Sequence, residues 1–127
     1  MIDRIDHFVL TVRSLETTCA FYERVLGFER LTDPGRPTAL VFGGQKINLH
    51  EVGHTFEPKA AVPTPGAGDF CLITRQPIEQ IEARLAACGV AMELGPVTRS
   101  GAQGPMTSVY FRDPDGNLVE VSRYHAD

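Results

Sequence analysis

Two histidines and one carboxylate are the side chains whose types and positions suggest chemistry: His7, His50 and Glu120. Each lies in a short run in which apolar and polar residues alternate, as they do in a β-strand with two differently used faces. Two imidazoles and a carboxylate, with the remaining coordination positions open, suit a divalent ion such as zinc, nickel, manganese or ferrous iron. The sequence therefore predicts one divalent-metal site, and Glu120 is also the candidate catalytic residue because a carboxylate can move a proton.

Asn48 and Asp69 are possible further members of this site. Asn48 shares a predicted strand face with His50, but a step of two residues is about 6.6 Å, so the two are not interchangeable ligands without a bulge or a shift in register. We favour His50 because a neutral imidazole is a far better ligand than an amide. Asp69 either belongs to the site or is a turn residue after the segment Gly66-Ala67-Gly68.

Local signals give each half of the chain the order β-α-β-β-β. In the first half, Ser14 is a predicted helix N-cap and Gly27 closes the helix. In the second half, the predicted helix starts at Pro77 and stops at Gly89. The predicted strands are 5–12, 28–31, 38–42 and 46–50, followed after a breaker-rich linker by 69–74, 91–94, 107–112 and 118–122.

The two halves are a repeat. At an offset of 62 residues His7 falls on Asp69, and at an offset of 72 Asn48 falls on Glu120. A four-stranded sheet with one helix buries only one of its faces, so the other face must meet something else. We therefore predict an α+β fold in which two βαβββ modules form a curled mixed sheet around a cleft. The predicted ranges are module one 1–53, linker 54–68 and module two 69–124, all within one domain 1–127.

The amino-acid composition argues against some classes of binding partner. Twelve Lys and Arg against sixteen Asp and Glu, without a basic cluster, argue against nucleic acid. No apolar run approaches the roughly 20 residues of a membrane helix, and we expect a cytoplasmic protein with no membrane partner. Cys19, Cys71 and Cys88 are an odd number without C-x-x-C spacing, so we interpret them as reduced, buried fillers.

The chain resembles the vicinal oxygen chelate superfamily, which includes glyoxalase I, extradiol dioxygenases and the fosfomycin and bleomycin resistance proteins. The resemblance spans residues 4 to 124, and His7 matches the family's first-strand ligand while Glu120 matches its last-strand carboxylate. The segments KINLH (46–50) and FEPKA (56–60) look closest to the proteins grouped as glyoxalase domain-containing protein 5. The family motifs are HFVLTV (7–12), FY (21–22), VLGF (25–28) and FRDPDGNLVEV (111–121).

The resemblance implies a metal-dependent lyase or isomerase of the glyoxalase I type. Such an enzyme acts on a small substrate with vicinal oxygens, by proton transfer through a metal-stabilised enediolate. An extradiol-type ring-cleaving dioxygenase and a metal-free protein that binds a drug or metabolite are the alternatives. The resemblance and the small size of the chain also predict a homodimer.

Overall fold

The first of two units in the computed structural model, Met1–Ala67, contains one helix and four strands; the structure describes residues 1–127. Helix α1 (Leu15–Leu26) begins where the Ser14 hydroxyl accepts a hydrogen bond from the Thr17 backbone N–H at 3.1 Å, and Gly27 ends it with a left-handed φ of 70°. Both predicted caps are confirmed. The strands are β1 (His7–Val12), β2 (Glu29–Leu31), β3 (Thr38–Phe42) and β4 (Gln45–Glu51).

The sheet of this first unit has the order β1-β4-β3-β2, with β1 parallel to β4 and the other pairs antiparallel. Its apolar face forms the core of the unit with α1. The other face of each sheet, opposite its helix, is called the helix-free face below. The predicted alternation is confirmed, since the buried core includes Leu10, Val12, Ile47 and Leu49, while His7, Val9, Lys46 and Asn48 are exposed or half-buried.

The second unit, Gly68–Asp127, repeats this organisation. Its sheet has the order β5-β8-β7-β6, with β5 parallel to β8. The α+β prediction of two βαβββ modules is therefore confirmed. The elements are β5 (Asp69–Ile73), α2 (Ile78–Ala87), β6 (Met92–Gly101), β7 (Gly104–Arg112) and β8 (Leu118–Tyr124).

Strand β6 is longer than the sequence predicts, because it continues past 91–94 to Gly101 and forms a hairpin with β7. Gly95 and Pro96 follow the predicted range, and proline cannot donate a hydrogen bond to the strand ladder. The structure accommodates them at two register shifts, between Met92 and Leu94 and between Leu94 and Val97. Bulges tolerate such residues, and pairing resumes beyond them.

Residues 113–116 form a turn between β7 and β8. The buried Asp113 carboxylate accepts hydrogen bonds from the backbone N–H of Asp115 and Asn117 and from the Asn117 side-chain amide. Asn117 in turn accepts from the Gly68 backbone N–H at 2.7 Å. Residues 54–68 contain no helix or strand beyond a single bridge between His54 and Glu51. None of the helices has the length and apolar character needed to span a lipid bilayer.

Candidate functional site

His7 is the first residue of β1 and lies on the helix-free face of its sheet, where its side chain is 42% exposed. Its Nδ1 lies 2.7 Å from the Asp6 carboxylate. This hydrogen bond lowers the pKa of Asp6. When Nδ1 donates to Asp6, Nε2 carries the lone pair, which is the arrangement typical of metal-ligating histidines with a carboxylate behind them.

Asn48 and His50 follow each other on the helix-free face of β4. The His50 side chain is buried, with 4% of the residue exposed, and its ring lies 5.6 Å from the ring of Phe56. His50 Nδ1 and Asn48 Oδ1 are both buried without a hydrogen-bond partner. A buried polar atom without a partner is costly. Both atoms therefore keep a bonding capacity that the protein itself does not use.

The register between β1 and β4 separates the two predicted histidine ligands. His7 lies opposite Lys46 and His50 opposite Thr11, so the imidazoles are four residues apart, about 13 Å along the strands. Ligands of one ion each lie within about 2.1 Å of it. Asn48 lies opposite Val9, only two residues along from the position of His7. The structure does not bring His7 and His50 together, and the register favours Asn48 as the neighbour of His7.

Glu120 is half-buried on the helix-free face of β8 and is held by a pair of serines. The Ser122 hydroxyl donates to Glu120 Oε2 at 3.2 Å, and Ser108 Oγ lies 2.6 Å from Ser122 Oγ. Both serines are fully buried. Glu120 forms no ion pair with any Lys, Arg or His. A half-buried carboxylate without a cation is costly to keep, so this group is a strong candidate for a functional role.

Cys71 lies beside Glu120, and the interpretation of this cysteine as a buried filler is wrong. It is the register partner of Glu120 on β5 and is exposed as a residue, although its Sγ lies 3.2 Å from Ser122 Oγ. Burial of the thiol raises its pKa, and the neighbouring Glu120 carboxylate adds to this. Cys19 is buried as expected, Cys88 is half-buried, and none of the three cysteines forms a disulfide.

We expect Cys71 to be alkylated by iodoacetamide at pH 8 more slowly than the thiol of glutathione. Because burial raises the pKa of the Cys71 thiol, a smaller fraction of it is thiolate at pH 8, and the thiolate is the nucleophile. Mass spectrometry of the peptide that contains Cys71, sampled over time at several pH values, gives the rate. A rate that reaches its plateau below pH 8 would contradict this environment.

Asp69 and Tyr110 complete the surroundings of Glu120. Asp69 is exposed, and its register partner is Leu118, so it lies one step along the same face from Cys71. Tyr110 is the β7 partner of Glu120. The sequence analysis missed Cys71, Ser108 and Tyr110. Alternation along β5 and β7 assigns them to faces, but only the register shows that they adjoin Glu120 or Ser122.

The single donor atoms of these residues suit a divalent ion, although the residues do not form a cluster. No three His, Cys, Asp or Glu side chains are gathered into a group that could hold a metal ion. Within the first unit, His7 and His50 are four residues apart in the β1–β4 register, whereas Glu120 belongs to the second unit. The single donors are nevertheless suitable, because His7 has its Nε2 available, Glu120 is unpaired, and Asn48 Oδ1 is a buried acceptor without a donor.

Comparison with known proteins matches residues 4–121 to the family described as Glyoxalase/Bleomycin resistance protein/Dioxygenase superfamily. Virulence protein STM3117 of Salmonella typhimurium is 52% identical over 124 residues, which are 98% of this chain and 86% of that protein. Its crystal structure matches with a TM-score of 0.95 over 98% of both chains. Glyoxalase domain-containing protein RDO1 of Mycosarcoma maydis is 45% identical over 120 residues, 94% of this chain and 68% of that protein.

A solved structure whose name states a reaction is also similar. Lactoylglutathione lyase from Agrobacterium tumefaciens is 28% identical, with a TM-score of 0.71 over 96% of this chain and 94% of that one. The superfamily thus contains enzymes of the glyoxalase and dioxygenase kinds as well as resistance proteins.

Proposed function

The chain belongs to the Glyoxalase/Bleomycin resistance protein/Dioxygenase superfamily, and we propose that it is a metal-dependent lyase or isomerase of the glyoxalase type. Its substrate in this proposal is a small molecule with two vicinal oxygens, on which the enzyme moves a proton. The similarity to a lactoylglutathione lyase supports this reaction class.

The observation that carries the proposal is the environment of the Glu120 carboxylate. Its carboxylate is half-buried, has no cation partner, and is fixed through Oε2 by the Ser122 hydroxyl, which the buried Ser108 holds in turn. A carboxylate whose role was structural would gain from an ion pair, as Glu93 does with Arg112 at 2.9 Å. We assign Glu120 two roles: it is a ligand of the metal ion, and it accepts the transferred proton.

His7 and Asn48 are the donors that this proposal assigns to the first unit. Asp6 holds the His7 ring so that Nε2 is available, and Asn48 Oδ1 supplies a neutral oxygen. We choose Asn48 over His50 because of the β1–β4 register, whereas His50 packs against Phe56. When bound, a divalent ion supplies Lewis-acid chemistry, which polarises a substrate oxygen and makes the neighbouring carbon more acidic. Asp69 is exposed and is left outside the donor set.

We expect the purified protein to contain one divalent ion per chain, and the variant His7→Ala to lose most of it. The matched control is His54→Ala, because His54 is an exposed histidine of the same unit, with its side chain 81% exposed. Elemental analysis of both variants and the wild type gives the metal content, and circular dichroism checks the fold. Full occupancy in His7→Ala would contradict the assignment of His7.

Activity assays distinguish the reaction classes. Protein reconstituted with nickel or zinc is tested on thiol adducts of 2-oxoaldehydes, and protein with ferrous iron is tested on catechols under oxygen. Turnover of the adducts supports the proposal, while catechol cleavage alone would replace it with a ring-cleaving dioxygenase. A protein that binds no metal and turns over neither class would be a binding protein. The homodimer stays a prediction, which light scattering tests.

A further inference from the structure

Resting on the proposed function, we infer that the substrate carries a negatively charged oxyanion group in addition to its vicinal oxygens, and that Arg99 binds this group. Arg99 extends from β6 on the same sheet as Glu120. The inference concerns the second unit alone and names a class of substrate, a small acid or phosphate.

Arg99 is held in place but is not neutralised. Its Nε donates to the Tyr110 hydroxyl at 3.0 Å, and its guanidinium carbon lies 5.6 Å from the centre of the Tyr110 ring. The remaining contact is a long one, from Nη1 to the Thr98 carbonyl at 3.4 Å. No carboxylate pairs with Arg99, and its Nη2 makes no hydrogen bond within the protein.

The register directs Arg99 towards Glu120. The β7 partner of Arg99 is Met106, four residues from Tyr110, and the partner of Tyr110 on β8 is Glu120. Residues four apart on a strand lie on the same face, so Met106, Tyr110 and Glu120 share the helix-free face. Because the Arg99 side chain bonds to Tyr110, it runs along this face towards the row that contains Glu120.

Arg112, unlike Arg99, is paired with a carboxylate of the protein. Arg112 lies two residues after Tyr110 on β7, and it forms two hydrogen bonds with Glu93, at 2.9 and 3.0 Å. That pair raises the pKa of Arg112 and lowers the pKa of Glu93, so both charges are used within the protein. Arg99 has no such carboxylate. A guanidinium that an aromatic ring and one hydrogen bond fix in direction is suited to bind an external carboxylate or phosphate with its free edge.

The test uses two matched pairs of probes with zinc-loaded protein and calorimetric titration. Malate and 2-hydroxybutyrate both offer a hydroxyl beside a carboxylate, but only malate carries a second carboxylate. Glycerol 3-phosphate and glycerol both offer a vicinal diol, but only the first carries a phosphate. We expect the wild type to prefer the more highly charged member of one pair by about tenfold to a hundredfold, the range of a charge-assisted hydrogen bond.

Arg99→Met should abolish this preference while the uncharged or less charged member binds as before. Arg99→Lys keeps the charge but not the planar fork, so it should retain only part of the preference. Tyr110→Phe should also reduce it, because the guanidinium loses the hydroxyl that fixes it. Arg123→Met is the control, since Arg123 lies one residue from Ser122 on β8 and therefore on the opposite face of the sheet.

The pair that shows the preference identifies carboxylate or phosphate as the group. Equal binding of both members in both pairs, no binding of any probe, or an unchanged preference in Arg99→Met would overturn the inference. The zinc content of the same samples tests the proposed function separately. Loss of zinc from the wild type would contradict the metal assignment, whereas retained zinc without a charge preference would contradict only the role of Arg99.

Discussion

Glu120→Gln is expected to weaken the binding of zinc or nickel by more than about a hundredfold, the upper end of the effect of removing only a hydrogen-bond partner of a ligand. The substitution keeps the size of the side chain and can still accept the hydrogen bond from Ser122. It removes the negative charge that makes the carboxylate a donor and a proton acceptor. Competition with a chromogenic chelator measures the affinity, and circular dichroism checks that the variant folds.

Two further variants show whether the loss of metal binding is specific to the Glu120 carboxylate. Glu79→Gln is the control, because Glu79 is an exposed carboxylate on α2, and it should bind metal as the wild type does. Ser122→Ala removes the hydroxyl that holds Glu120, so it should weaken binding by about tenfold, the lower end of the same range. If Glu120→Gln binds metal as tightly as Glu79→Gln does, Glu120 is not a ligand.

The local elements were predictable because their signals are local. A serine that accepts a hydrogen bond from the backbone N–H three residues later begins α1, and a glycine with left-handed backbone ends it. Alternation assigned His7 and Glu120 to the helix-free faces, since one face of each strand must be apolar to pack on its helix. The repeat with an offset of 62 residues predicted that β5 and α2 would follow the pattern of β1 and α1.

The candidate site was harder to predict because alternation fixes a face but not a position along a neighbouring strand. His7 and His50 are on the same face, yet the parallel register puts four residues between them. The same limitation hid the group around Glu120. Cys71 precedes Glu120 by 49 positions in the chain, and only the pairing of β5 with β8 makes them neighbours.

Strand β6 shows a second limit, since its breaker residues are compatible with a strand once a bulge is allowed. Gly95 and Pro96 lie where the register with β7 shifts, and the ladder resumes at Val97. The continuation places Arg99, the residue inferred above to bind an oxyanion, on the sheet face of Glu120. The bulge could not be predicted from the residue types of β6, because it depends on the close approach of β7.

Gly95→Ala is expected to destabilise the second unit by about 3 kcal/mol or more, since two separate costs fall on one residue. Gly95 has a φ of +119°, a conformation that L side chains rarely adopt. A Cβ at this position would also lie 2.6 Å from the Ser108 carbonyl oxygen and 3.0 Å from the Val109 Cα. Both are backbone atoms of β7, so relief requires the two strands to separate at the bulge.

Gly104→Ala separates these two costs. Gly104 has a similar φ of +131°, but a Cβ there would meet nothing within 4 Å, so its substitution introduces backbone strain alone, about 1–3 kcal/mol. Urea unfolding of both variants and the wild type gives the free energies of unfolding. We expect Gly95→Ala to lose clearly more than Gly104→Ala, because only the former forces apart strands that hold Ser108 under Ser122 and Glu120. Equal losses would mean that β7 yields without cost and that the close approach does not determine the bulge.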